Sequence, residues 1–185
     1  VNYVGKAADI YDLGYTYNGS INVITHFIRN TWLWEQVRVL GGAYGGFCTF
    51  DRMTGGLAYV SYRDPNLMQT IKTFDATAEY LRTLSLHEDE RIKSIIGAIG
   101  AIDAHLLPDA KGYISLQRHL IGYTETERQK IRDEVLATTA QDFSAFADVL
   151  QEVASRGIVT VLGADKSIQD ANDKHGDFLA VTKVM

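Results

Sequence analysis

Apolar residues in this chain change their spacing several times, and each change marks an element. Residues 2–11 (NYVGKAADIY) alternate loosely, with Tyr3, Val4, Ile10 and Tyr11 in a strand-like segment. After NGS (18–20), where Ser20 can cap a helix, Ile21, Ile24, Ile28 and Trp32 recur at helical spacing and predict a helix over 20–36. The glycine-rich stretch VRVLGGAYGG (37–46) breaks it. FCTFDR and GLAYVSYRD then flank the turn RMTGG and predict a hairpin over 47–63. DPN (64–66) opens a helix with Pro65 near its first turn, and Leu67, Ile71, Phe74 and Ala78 carry it to about residue 83. Residues 86–110 predict another helix, acidic at its start and ended by Pro108. Shorter helices are expected over 112–121 and 124–136, and an amphipathic one over 139–155, closed by Gly157. IVTVLG (158–163) reads as a short buried strand, 165–173 as a short helix or turn, and FLAVTKV (178–184) as a final strand.

This order is strand, helix, two strands, several helices, strand, short helix, strand. The hairpin and the run of helices break the alternation that a doubly wound parallel sheet needs. The expected fold is α+β: two layers, an antiparallel or mixed sheet with helices packed on one face. No repeat, low-complexity linker or proline-rich boundary divides the chain, so residues 1–185 are expected to form a single domain.

Composition narrows the function classes. The chain has 185 residues, 46% of them hydrophobic and 22% charged, as in soluble globular proteins generally. Its formal net charge is −5 and it has no basic run, which argues against a nucleic-acid partner. No apolar run reaches membrane-spanning length, so no membrane partner is expected. The one cysteine, Cys48, cannot form an internal disulfide and reads as a small buried hydrophobe. Val1 opens the chain with no signal-peptide pattern after it, and a piece of a longer polypeptide is expected.

Few motifs carry chemistry. HEDER (87–91) nearly matches a zinc signature, but Arg91 stands where the second histidine is required. The other histidines, His26, His105, His119 and His175, have no ligand spacing, and no metal site is expected. No G-x-S-x-G elbow is present. The glycine stretch lacks the Lys-Ser or Lys-Thr of a phosphate loop. It also follows a helix and precedes strands, the reverse of a dinucleotide fingerprint. Two readings stay open. The glycines form a flexible corner, or they let the backbone approach a ligand while Arg38 and Tyr44 project into the same space. Arginine and tyrosine both donate hydrogen bonds to an oxygen that gains negative charge.

A resemblance adds to this. NYVGKA, NTWLWEQVRVLGGAYGGFCTFD, SYRDPNL, IIGAIGAIDAHLLPDAKGY and QRHLIGYTETERQKIRDEVLATT, in that order, closely resemble the last quarter of the presequence protease family. These are oligopeptide-degrading zinc metallopeptidases of the insulinase-like (pitrilysin) superfamily. The resemblance implies a full chain of four homologous domains, in two hinged halves that enclose a chamber. Zinc then sits in the first domain on H-x-x-E-H and a distant glutamate, polarising the scissile carbonyl and activating water. This chain would be the fourth, C-terminal domain, with no zinc ligand of its own and no activity alone. The family's arginine and tyrosine that reach the substrate across the closed chamber match Arg38 and Tyr44, and Gly41 and Gly42 are grouped with them as substrate-binding. The implied partners are an unstructured peptide and the N-terminal half of the same polypeptide. The implied compartment is the mitochondrial matrix or a plastid in a eukaryote and the cytoplasm in a bacterium. The superfamily also holds inert members, so a non-catalytic scaffold or peptide-binding domain is the alternative; H-x-x-E-H upstream would separate the two.

Overall fold

The computed structural model describes residues 1–183. Four strands form one antiparallel sheet: β1 (Tyr3–Asp9), β2 (Gly45–Phe50), β3 (Gly56–Tyr62) and β4 (Ile158–Leu162), in the order β2-β3-β1-β4. The hairpin register sets Phe50 opposite Leu57 and Gly45 opposite Tyr62. The central strand β1 pairs Gly5 with Val60 on one side and with Thr160 on the other. Alternation then sorts the side chains. Val4, Lys6, Leu57, Tyr59, Ser61 and Cys48 are buried on the inner face, while Tyr3, Val60, Tyr62 and Leu162 are at least a third exposed on the outer one.

The helices cover the inner face. α1 (Ser20–Asn30) lies on β2, with Ile21, Ile24, Phe27 and Ile28 buried. α2 (Met68–Asp75) and α7 (Ala140–Arg156) pack on β1, and α3 (Thr77–Thr83) packs on α7. α4 (Glu88–Ile102) and α6 (Glu125–Leu136) pack on α1 and on each other. α5 (Pro108–Leu120) buries no residue, and α8 (Asp165–His175) buries only Ala171. The expected two-layer α+β arrangement with one helix-covered face is the one observed.

Four boundaries differ from the sequence reading, and named contacts or residues account for each. The helix expected over 20–36 stops at Asn30, where Thr31 Oγ1 and Asn30 Nδ2 donate to the Phe27 and His26 carbonyls. A separate π-helical segment, Trp34–Leu40, follows. The helix expected to reach residue 83 breaks at Ala76. There the Thr73 carbonyl accepts from the Trp32 indole N–H at 3.1 Å and from the Thr77 hydroxyl at 3.3 Å. Pro108 does not end a helix over 86–110: α4 already ends at Ile102, and Pro108 opens α5, where its missing N–H has no partner to lose. Residues 178–183 of the expected final strand form no strand; Val184 lies outside the described residues. The side chain of Asn172 holds this segment against α8, donating to the Leu179 carbonyl at 2.9 Å and accepting from its N–H at 3.0 Å.

Candidate functional site

The glycine-rich stretch carries Arg38 and Tyr44 from the end of α1 to the start of β2. In the π-helical segment only Val37 is buried, so the turn is anchored on one side and Arg38 projects outward. The chain then reverses sharply. The Ala43 N–H donates to the Val37 carbonyl at 3.1 Å and the Gly42 N–H to the Arg38 carbonyl at 3.0 Å. Gly42 has φ +76°, in the left-handed region that favours glycine. A Cβ at Gly41 would lie 2.5 Å from the Val37 carbonyl oxygen, so no side chain fits there without moving the backbone.

A second segment pins this corner. Asn66 Nδ2 donates to the Gly41 carbonyl at 2.6 Å. Asn66 is itself held through its N–H, which donates to Asp64 Oδ1 at 2.8 Å; the fully buried Asp64 also accepts from Thr70 Oγ1 at 2.6 Å. Arg63, just before, adopts φ 49°, uncommon for a residue with a side chain and a sign that this turn is held by its neighbours. Asn66→Ala is expected to lower unfolding stability by about 1 kcal/mol, the net worth of one such bond, read as a lower urea midpoint with an unchanged slope.

Arg38 and Tyr44 line one cleft of about 290 Å³ with Arg29, Asn30, Trp34, Gly45, Gly46 and Phe47. The Arg38 guanidinium lies 3.9 Å from the Trp34 ring centroid, and that of Arg29 lies 5.0 Å from the Phe47 ring. Tyr44 is 68% exposed; its N–H donates to the Tyr62 carbonyl at 3.0 Å, and its ring meets Tyr62 edge-on at 5.7 Å. Among the described residues, neither guanidinium has a carboxylate partner and the Tyr44 hydroxyl has no hydrogen bond. The cleft therefore offers two oriented cations and a phenol, in a chain whose net charge is −5. Gly41 and Gly42 do not line it; Gly45 and Gly46 do. A larger hollow of about 480 Å³ lies between β4 and residues 181–183, but it is lined mainly by Val161, Leu162, Ile168 and Val181.

Arg29, Trp34, Phe47 and Asn66 escaped the sequence reading. The two aromatic residues look like core formers there, and Arg29 looks like an ordinary surface cation in the middle of the helix expected over 20–36. HEDER is helix-end architecture. His87 precedes α4 and its N–H donates to Glu90. Arg91 pairs with Glu88 and donates to the Thr138 carbonyl at 2.6 Å, tying α4 to the segment before α7. Among the described residues, no group of three His, Cys, Asp or Glu could hold a metal ion. Burial pushes the Cys48 thiol up to about 12, which makes it inert near neutral pH. No helix is long and apolar enough to cross a membrane among the described residues.

The family model described as the PreP C-terminal domain matches residues 1–165. Over all 185 residues the chain is 48% identical to presequence protease 1, chloroplastic/mitochondrial, of Arabidopsis thaliana, of which it covers 17%. It is 33% identical over 183 residues to protein HypA of Clostridium perfringens, 99% of this chain and 19% of that one. The chain thus spans less than a fifth of these relatives' length. Among solved structures, pitrilysin aligns with a TM-score of 0.57 at 16% identity, over 86% of this chain and 18% of its own. A protease from Helicobacter pylori aligns with a TM-score of 0.62 at 11% identity, over 88% of this chain and 41% of its own. The structures share the fold, the family model and the 48% identity share the sequence, and together they place the chain in the presequence protease family, as a member of its C-terminal domain.

Proposed function

We propose that this chain is the C-terminal domain of a zinc metalloendopeptidase that degrades short unstructured peptides, and that Arg38 and Tyr44 are its contribution to the active site. The observation that carries this is the shared cleft, in which both donors are presented to solvent without an internal acceptor. The relatives' names, presequence protease and protease, support the reaction class.

Each residue has a distinct role. Arg38, its guanidinium over the Trp34 ring and without a carboxylate partner among the described residues, keeps N–H donors for substrate. Tyr44 adds one O–H donor from the start of β2. Both suit a peptide carbonyl oxygen that becomes an oxyanion during hydrolysis, when donors already in place need no reorganisation. The described residues do not fit a zinc ion, so the metal and the base that activates water belong to another part of the polypeptide. The active site then forms only when that part closes over this cleft. In a eukaryote the enzyme would work in mitochondria or plastids, as the name of the Arabidopsis relative indicates.

The pure 185-residue chain is expected to bind no stoichiometric zinc and to leave an unfolded fluorogenic peptide intact, while the full-length enzyme cleaves it. Chelator-sensitive cleavage by the pure chain, with zinc lost on His87→Ala, would overturn the assignment of the metal to another part of the polypeptide. If the full-length enzyme left such peptides intact, the chain would instead serve as a scaffold.

A further inference from the structure

We propose that Arg29 gives this cleft a second cationic subsite, which binds a carboxylate of the peptide near the scissile bond; this rests on the reading above that the cleft receives peptide. Hydrolysis needs donors for one carbonyl oxygen, and Arg38 and Tyr44 supply them. Arg29 lines the same cleft and is left over. Its guanidinium carbon lies over the Phe47 ring at 5.0 Å from the centroid, as that of Arg38 lies over Trp34 at 3.9 Å. The ring takes one side of the cation and supplies no hydrogen-bond acceptor in the guanidinium plane, so N–H groups remain for an outside acceptor, and a carboxylate can match them with two bonds.

The surroundings supply no such acceptor. No carboxylate lines the cleft, and Arg29 has no ion pair among the described residues. Elsewhere Arg82, Arg91, Arg128, Arg132 and Arg156 each sit beside a carboxylate, while Arg52, Arg63 and Arg118 have no ion pair among the described residues and do not line this cleft. His26, one turn before Arg29, is held below its usual range by burial and then by the Arg29 charge, so it favours the neutral form and the positive charge of this corner rests on Arg29 and Arg38. Two adjacent guanidiniums in a cleft walled by aromatic rings favour a substrate that brings negative charge. A carboxylate can come from an Asp or Glu side chain or from a free peptide C-terminus.

Arg29 also stands in the last turn of α1, where a cation complements the helix dipole. That role alone predicts a small change in stability and no change in substrate preference, so the test reads preference. Full-length enzyme is assayed on one peptide sequence in two series. In the first, Glu or Gln is placed in turn at the three positions on either side of the scissile bond. In the second, the C-terminus is a free acid or an amide. Wild-type kcat/KM is expected to favour the carboxylate form about fivefold in one series, less at high salt, as for a partly exposed ion pair. Arg29→Gln is expected to bring that ratio to one, and Arg29→Lys to retain part of it. The responding series identifies which carboxylate is bound. No preference in either series, or an unchanged preference in Arg29→Gln, overturns the proposal. Such a failure leaves the roles of Arg38 and Tyr44 standing, because those are read from turnover of the Gln and amide peptides in Arg38 and Tyr44 variants.

Discussion

Tyr44→Phe in the full-length enzyme is expected to lower kcat by about 100-fold or more, with zinc content and melting temperature unchanged. The substitution keeps the ring and its edge-on contact with Tyr62, and removes a hydroxyl that bonds nothing within the described residues. The folded state therefore loses little. What is lost is a donor needed most when the substrate oxygen is anionic, so kcat falls more than KM rises. Arg38→Ala is expected to cost a similar factor and to free the Trp34 ring. If both act on one oxyanion, the double variant should lose less than the product of the two single losses, because donors acting as a unit are not additive. Normal turnover of both single variants on peptides would reduce the glycine-rich stretch to a structural corner.

The second large effect concerns stability. Lys6 points inward from the middle of β1 and is almost completely buried. Its Nζ donates to Asp75 Oδ1 at 2.6 Å and to the Ala154 carbonyl at 2.5 Å, so one ammonium joins the sheet to the ends of α2 and α7. Lys6→Met keeps most of the stem's volume but leaves a carboxylate and a carbonyl without their donor. Losing one partner of a fully buried pair costs about 3–5 kcal/mol; Asp75 is 37% exposed and water can reach it, so about 2–3 kcal/mol is expected here. For a chain of this size that is a fall in Tm of roughly 5–10 °C. Asp75→Asn placed on Lys6→Met should recover part of the loss, because it removes the stranded charge. A single variant as stable as the parent would show that the buried ammonium contributes nothing net.

Period and punctuation carried most of the fold. The hairpin was readable because RMTGG separates two alternating runs, and α7 because Phe143, Phe146, Ala147, Leu150 and Val153 fall on one helical face. What escaped was set by side-chain partners lying outside each segment. Nothing in residues 68–83 announces that Trp32 will take the Thr73 carbonyl and split a helix. Nothing in FLAVTKV says that Asn172 will hold it away from the sheet. Alternation puts Lys6 on the face of Val4 and Ile10, but the partners of its ammonium, Asp75 and the Ala154 carbonyl, lie far along the chain. At the candidate site, Arg38 and Tyr44 were legible through the family resemblance, and the glycines marked where to look. Arg29 and Phe47 were not, because the α1–β2 packing that joins them to the cleft is a tertiary contact.

The π-helical segment also limits how the chain's length can vary. Its turns hold more residues than α-helical turns, as when one residue is inserted into an ordinary helix. Deleting one residue between Trp34 and Leu40 would relax it towards α-geometry and leave whatever follows close to its present phase. Inserting a further residue between Arg38 and Leu40, with no wider turn left to absorb it, would swing the downstream chain by about 100° around the axis and turn Arg38 and Tyr44 apart, although every residue type in the cleft was still present. A loss is thus more tolerable than a gain across these seven positions, whereas the connection between α4 and α5 at residues 103–107 sets no phase for either. Among homologues, spacing from Arg38 to Tyr44 should vary less than the identity of the residues between them.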